Sequence, residues 1–341
     1  MLSIILLYLF HCTVVKSVSI RPSNLSQDLS APKDFTFTDP SIPEPGNTSL
    51  ANTIPLPIND PHISFAIVKG TAKLPMKACL MVALEALVEL SFEYFTEPYG
   101  SGIFVSSDYP EVIIVTQVFK GPGPIFQTKH AARGLVDLIT LMLRQSSYSN
   151  SSIIMRWSDF GMSALWASVA FAVGDHVATQ GPSRVAPRME TLPQGPYLAN
   201  FSNNNNGTEV VFVNNDDDEL LVFAEYVGGD LAIPDVFITL YSSVFYIAQF
   251  PTTDAMVPFG ITPENSNAGL QYILLDPPPR STFVFQNGWA ARSLQKLSKY
   301  MFEQRKFNEI KFISGWDKTL FSVGSLKKKT MSGARVDVER A

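Results

Sequence analysis

Two spacings of apolar residues, every second position and every third or fourth, alternate along this chain and mark out its elements. Ile63 to Val68 reads as a short strand closed by Gly70. Pro75 opens a helix, a position where its missing N–H costs nothing, and Met76, Leu80, Ala83, Leu84, Leu87 and Leu90 give that helix an apolar face. Glu111 to Phe119 is a β-branched strand, which Gly121-Pro-Gly-Pro124 is expected to turn into a short strand ending at Phe126-Gln127. A second helix follows from Lys129 to Gln145, and Ile153 to Trp157 closes the unit as a strand.

The same order returns downstream. Leu220 to Val227 is a strand pattern and Pro234 starts a helix. Gly269 to Leu275 and Thr282 to Phe285 are expected to form a hairpin around Pro277-Pro-Pro279. Residues 288–304 make the second helix, and Ile310 to Ile313 the last strand. Taken alone, Asp235-Val-Phe-Ile-Thr-Leu-Tyr241 favours a strand, because β-branched and aromatic residues dominate it. Its counterpart, Met76 to Leu90, is rich in Leu, Ala, Met and Glu and favours a helix. The correspondence decides for helix.

That correspondence is a matter of identity as well as pattern. At an offset of 159 residues, 126–157 and 285–316 match at eleven of 32 positions, Phe126-Gln127 and Ala131-Ala132-Arg133 among them. Continued without a gap, the offset pairs Ile114 with Ile273, Pro75 with Pro234, Gly70 with Gly229 and Val68 with Val227. A period this long implies two related domains or half-domains, not a solenoid of short units. The expected fold is α+β: a tandem duplication of a ferredoxin-like (βαββαβ) unit, its two repeats packed as a pseudo-dimer. Met162 to Val173, apolar and too short for a bilayer span, is expected to be an extra strand between the repeats.

The expected domains are a signal peptide at 1–17, a Pro/Ser/Asn-rich leader or linker at 18–60, and repeat 1 at 61–175. A polar connector at 176–208, repeat 2 at 209–325 and a basic disordered tail at 326–341 complete the chain. Met1 to Phe10 is nearly all apolar and Val15-Lys16-Ser17 offers a cleavage point, so the mature chain is expected to begin near Val18 without a membrane span. Five Asn-x-Ser/Thr triplets, at Asn24, Asn47, Asn150, Asn200 and Asn206, are candidate glycosylation sites, all expected in loops. Extracellular, secreted localisation follows as the expectation.

Composition sharpens this. After loss of Cys12 with the signal, only Cys79 remains, inside a helical apolar pattern where a thiol behaves as a small hydrophobe, so the core rather than a disulfide must hold the chain together. Loss of Lys16 moves the formal charge from −5 to −6, which disfavours nucleic acid as a partner. Lys327-Lys328-Lys329 is the basic cluster of a solvated tail, and Asp216-Asp-Asp-Glu219 a solvated hairpin turn.

Candidate chemistry is sparse. Ala131, Leu135, Leu138, Met142 and Gln145 recur as Ala290, Leu294, Leu297, Met301 and Gln304, within a sector of about 80°, and form the packing face of the second helix. Arg133 and Arg292 lie about 200° around from the first members of that stripe, so packing does not require them. A cation in a first helical turn is also disfavoured by the macrodipole. Both are therefore candidates for a fixed polar contact, or for binding an anion. His130, which corresponds to Trp289, is the third binding candidate and would make any shared site asymmetric; Trp157 and Trp316 cap the core.

His62, His130 and His176 fall in different elements without metal-ligand spacing, so no metal is expected. Gly161-Met-Ser163-Ala-Leu165 lacks the last glycine of a nucleophile elbow, and Gly100-Ser-Gly102 lacks the third glycine of a dinucleotide loop; no cofactor and no catalytic residue are assigned. The function expected is that of a secreted glycoprotein acting as a non-enzymatic binding or interaction module for an unknown extracellular ligand or protein. The alternative is an enzyme with its pocket between the two α+β repeats.

Overall fold

The computed structural model describes residues 62–119, 121, 123–159, 162–174, 211–212, 220–275, 284–316 and 319–329. The first half runs β1 (Ile63–Lys73), α1 (Met76–Ser91), β2 (Gly102–Val105), β3 (Val112–Val118), α2 (Thr128–Gln145), β4 (Ser149–Asp159) and β5 (Met162–Val173). The second begins with a short β6 (Val211–Phe212), then repeats the order as β7 (Leu220–Asp230), α3 (Ile233–Ile247), β8 (Phe259–Ile261), β9 (Ala268–Leu274), α4 (Asn287–Glu303), β10 (Asn308–Trp316) and β11 (Thr319–Lys328). The fold is α+β, with two antiparallel sheets. Their neighbour orders are β1-β4-β5-β3-β2 and β6-β7-β10-β11-β9-β8.

Each sheet carries two helices on one face, and the helices of the two halves pack on each other. α1 lies against α2, α3 and α4, while α3 lies against α1, α2 and α4. The layers are therefore sheet, helices, helices, sheet. This placement explains α1 and α3. Nearly every side chain of α1 from Ala78 to Leu90 is buried, and so is Val236 to Phe245 of α3. The strand preference of Val236-Phe-Ile-Thr-Leu-Tyr241 is overruled because a helix surrounded by other elements can bury β-branched and aromatic side chains on all sides. Pro234 stands in its first turn, where no helical N–H bond is lost.

The ferredoxin-like neighbour order does not form. β3, α2 and β4 make a split βαβ, but the strand inserted between β3 and β4 is β5, not β1. β5 follows β4 directly in the chain, with Asp159 opposite Met162, and fills that slot. Among the described strands β1 is left at the sheet edge. The extra strand thus completes its own sheet and does not reach toward the other half, and β11 takes the same place in the second sheet.

Several boundaries move for related reasons. The partner hairpin strand of β3 is β2, ahead of it, and that of β9 is β8; neither 124–126 nor 284–285 is a strand. Gly100-Ser-Gly102 marks the start of that short strand. Lys327 and Lys328 are the last residues of β11, opposite Gly269 and Ala268, so ordered structure continues to Lys329. Asn150 sits in β4, not in a loop. Its Oδ1 accepts from Ala72 N–H (2.9 Å) at the β1 bulge, where a Cβ on Gly70 would meet it at 2.0 Å. Asn24, Asn47, Asn200, Asn206, His176, Pro277 to Thr282 and Asp216 to Glu219 lie outside the described residues.

The offset between the halves also varies. α2 and α4 begin 159 residues apart, as do β4 and β10, and both helices are followed by a left-handed residue, Ser146 (φ 47°) and Arg305 (φ 51°), at that same spacing. Elsewhere strand register gives different values. Phe65 opposes Met155 as Val222 opposes Ser314, an offset of 157 for β1 and β7. Ile114 faces Phe171 on β5 as Leu270 faces Leu326 on β11, an offset of 156 for β3 and β9. The pairs Val68/Val227, Gly70/Gly229, Pro75/Pro234 and Ile114/Ile273 are therefore out of structural register, because the intervening loops differ in length.

Candidate functional site

The two arginines are placed differently. Arg133 Nε donates to Asp137 Oδ2 at 2.7 Å, one turn along α2, with both side chains partly exposed (22% and 29%). Arg292 crosses to the other half, its guanidinium 4.9 Å from the centre of the Phe92 ring, beyond the end of α1. The difference follows from what stands one turn on: Asp137 in α2 becomes Lys296 in α4, and Lys296 points inward to donate to Leu220 C=O (3.1 Å). Burial raises the Asp137 carboxyl and Arg133 draws it back down. Arg133→Ala should therefore cost about 1 kcal/mol, near the low end for a charged hydrogen-bond partner. Lys129→Ala on the same helix should cost about 0.5 or less. Thermal unfolding of the two single variants checks this, and equal losses would make Arg133 an ordinary surface residue.

His130 is buried and serves its helix. Gln127 N–H donates to its Nδ1 (3.1 Å), and its ring lies 4.6 Å from Trp166 and 5.5 Å from Phe126. His62, at the exposed edge, stacks on Trp157 (5.1 Å, 22°) and has Nδ1 at 2.8 Å from Ser158 O. The first-turn N–H groups beside His130 and Arg133 are already used. Thr128 and Lys129 donate to the carbonyls of Glu97 and Phe95, and Asn287 and Gly288 to those of Asp254 and Thr252. With these donors satisfied by main chain, the helix starts offer an anion little beyond their dipole.

Of the recurring stripe, Ala131, Leu135, Leu138 and Met142 are buried as expected, but Gln145 is exposed and accepts from Lys69 Nζ. Cys79 is fully buried, its thiol pushed up to about 12 chiefly by burial, so it is inert at neutral pH.

A polar group at the seam between α1 and α4 escaped the sequence reading. Lys299 of α4 donates to Asp108 (2.9 Å), in the turn before β3. Ser106 Oγ accepts from the N–H groups of Asp108 and Tyr109 (3.2 Å each), and its hydroxyl also bonds the Glu85 carboxyl on α1. Lys77 Nζ lies 5.5 Å from the Tyr109 ring centre and 6.0 Å from that of Phe302, so it too spans the seam. One turn beyond Glu85 is Glu89. That residue is exposed overall, yet its carboxyl end is raised by burial, an effect opposed by Arg292. The signal was present in Glu85 and Glu89, two acids within the apolar run of α1 from Ala78 to Leu90, but their partners come from segments far along the chain.

Burial pushes the Glu85 carboxyl from 4.5 up to about 7; Ser106 and Lys299 oppose that rise, while Asp108 and Glu89 add to it. The folded chain therefore favours protonated Glu85. That contribution is fully present below pH 4.5 and is lost as pH rises through about 7. Glu85→Gln should match the parent at pH 4 and be more stable by about 1–2 kcal/mol at pH 9. Denaturant midpoints at the two pH values provide the measurement, and an unchanged difference would exonerate this carboxyl.

The groups named in the sequence do not converge. Arg133 lies beside its own Asp137, His130 is packed under Trp166, and Arg292 belongs to the seam with α1. Among the described residues no cluster of His, Cys, Asp or Glu could hold a metal ion, and no helix is long and apolar enough to cross a membrane. Comparison with protein-family models, with curated proteins and with solved structures gives no match.

Proposed function

We propose that this chain is a secreted glycoprotein that binds a partner without transforming it, built by duplication of a βαββαββ unit whose copies pack helix to helix as a pseudo-dimer. The observation that carries the binding reading is the filled space between the halves. Leu80, Met81, Leu84 and Leu87 of α1, and Phe237, Leu240, Tyr241 and Val244 of α3, are each at most 1% exposed. Tyr241 donates to Leu80 C=O (2.9 Å) across the seam, and Ser298 Oγ lies 3.8 Å from Met81 Sδ. A pocket between repeats would occupy that volume. The duplication draws support from the shared element order, the shared sheet order, the eleven identities and the matched left-handed helix ends.

The alternative, an enzyme working at the seam, has one observation in its favour: Glu85 titrates near neutrality beside Tyr109 and Lys299, the property of a general acid or base. The two readings separate by experiment. The chain, produced in a eukaryotic secretory host, is presented with immobilised glycans and extracellular matrix proteins. Saturable capture of a ligand recovered with unchanged mass is expected. A ligand recovered with altered mass, the alteration being lost in Glu85→Gln, would replace the binding reading with the enzymatic one. Mass spectrometry of the same preparation tests secretion: loss of residues 1–17 and added glycan mass are expected, and an intact Met1 would refute it.

A further inference from the structure

Among the described residues, Tyr94 is the one exposed tyrosine. It is 63% exposed, in the turn that leaves α1, whereas Tyr99 is half-buried and Tyr109 buried. Its neighbours fix the segment. Phe95 packs on Phe245 of α3 (5.6 Å), and Phe92 lies under the Arg292 guanidinium. Tyr94 C=O accepts from Glu97 N–H at 2.9 Å, which closes the turn and leaves the phenol outside it.

The fold does not require a tyrosine at this place. The second half builds the same turn from Pro251, whose C=O accepts from Asp254 N–H at 3.1 Å. Glu97 C=O then accepts from Thr128 N–H as Asp254 C=O does from Asn287 N–H, each the first residue of the next helix in its half. Pro98 bridges to Gln127 as Ala255 bridges to Gln286. These pairs share an offset of 157 residues, and it sets Tyr94 against Pro251. An exposed phenol where proline serves the other half points to use and not to packing.

The surroundings are acidic. Glu89, Glu93 and Glu97 lie within five residues of Tyr94, and no Lys or Arg occurs between Lys77 and Lys120. An enzyme that transfers an anionic group to a phenol must bind an anionic donor, so its site is cationic and draws in acidic segments. We propose, on the secretory reading above, that Tyr94 is sulfated on its phenol oxygen as the chain passes through the secretory pathway. The donor is an activated-sulfate nucleotide, a mixed anhydride of sulfate and phosphate. The phenol oxygen attacks sulfur, the bond from sulfur to the bridging phosphate oxygen breaks, and the phenol proton passes to a base of the transferase. The nucleotide leaves with its phosphate, and nothing is oxidised or reduced. The resulting ester holds a permanent negative charge and offers acceptor oxygens to Arg or Lys of a partner.

Peptide mass spectrometry of the chain secreted by a eukaryotic host, after enzymatic removal of N-glycans, tests this. Trypsin releases residues 78–120, which hold Tyr94, Tyr99 and Tyr109 together. One SO3 group is expected on Tyr94, resistant to phosphatase and absent from Tyr99 and Tyr109. Tyr94→Phe should abolish it, and Glu93→Gln/Glu97→Gln should lower its occupancy by about fivefold. An unmodified Tyr94 in a chain that has lost residues 1–17 would overturn the proposal alone, as would equal modification of Tyr99 or Tyr109. Removal by phosphatase would assign a phosphate ester and overturn it too. A chain that keeps Met1 and carries no glycan would withdraw the secretory reading and this site with it.

Discussion

Trp289→Ala should lower the stability of the folded chain by about 4 kcal/mol, within the range for truncating a buried Trp. Trp289 is 2% exposed, stacks on Trp316 at 4.8 Å and 20°, and lies 5.9 Å from Phe285. Truncation removes most of an indole from a site walled by other rings, which are too large to relax into the gap. The corresponding His130→Ala should cost about 1–2 kcal/mol. A smaller ring leaves a smaller cavity, and the rest of the loss is the bond to Gln127 N–H. Denaturant unfolding of both variants, at unchanged slope, supplies the comparison. A larger loss at His130 would show that the first half depends on its imidazole more than packing explains.

Gly324→Val should cost about 3 kcal/mol, toward the upper end for overpacking. A Cβ at Gly324 would meet the Phe312 ring at 2.0–2.5 Å, and Phe312 is fully buried, 5.1 Å from the Tyr272 ring. In the first half the register places Val169 opposite Ile153 where the second has Gly324 opposite Phe312. One half uses two medium side chains and the other a large one over none. Phe312→Ile combined with Gly324→Val transplants the first arrangement into the second and should recover at least half of the loss, because neighbouring substitutions that share a volume are strongly coupled. Additive losses would mean that the strain of Gly324→Val lies in the backbone and not in the ring. The third member of this layer, Tyr272, sets the limit on recovery: its hydroxyl is 2.8 Å from Ser314 Oγ and must keep that place.

Much of the chain's secondary structure was legible because its cause is local. The apolar spacing of Met76 to Leu90 makes α1, and the repeated stripe from Ala131 to Met142 and from Ala290 to Met301 makes α2 and α4. The helical state of Ile233–Ile247 became legible only by comparison with the first half, since its own residues prefer a strand. β2 and β8 went unseen because four and three residues are too short for a periodic signal. β11 was hidden by a small and lysine-rich run, Ser322-Val-Gly-Ser-Leu-Lys-Lys328, whose strand state depends on β9 and β10. The seam around Glu85 was illegible for the same reason, its partners Ser106, Asp108 and Lys299 being 21 to 214 residues away.

By itself, then, the sequence determined the α+β class, two similar halves, and the helices and their buried faces. These follow from spacing, propensity and composition, which act over a few turns of chain. Tertiary structure alone decided which strand fills the slot between β3 and β4, which loops shift the register between halves, and that the space between the halves is packed. Those outcomes depend on competition among distant segments for the same hydrogen-bonding edge and the same volume, and no local pattern records who wins.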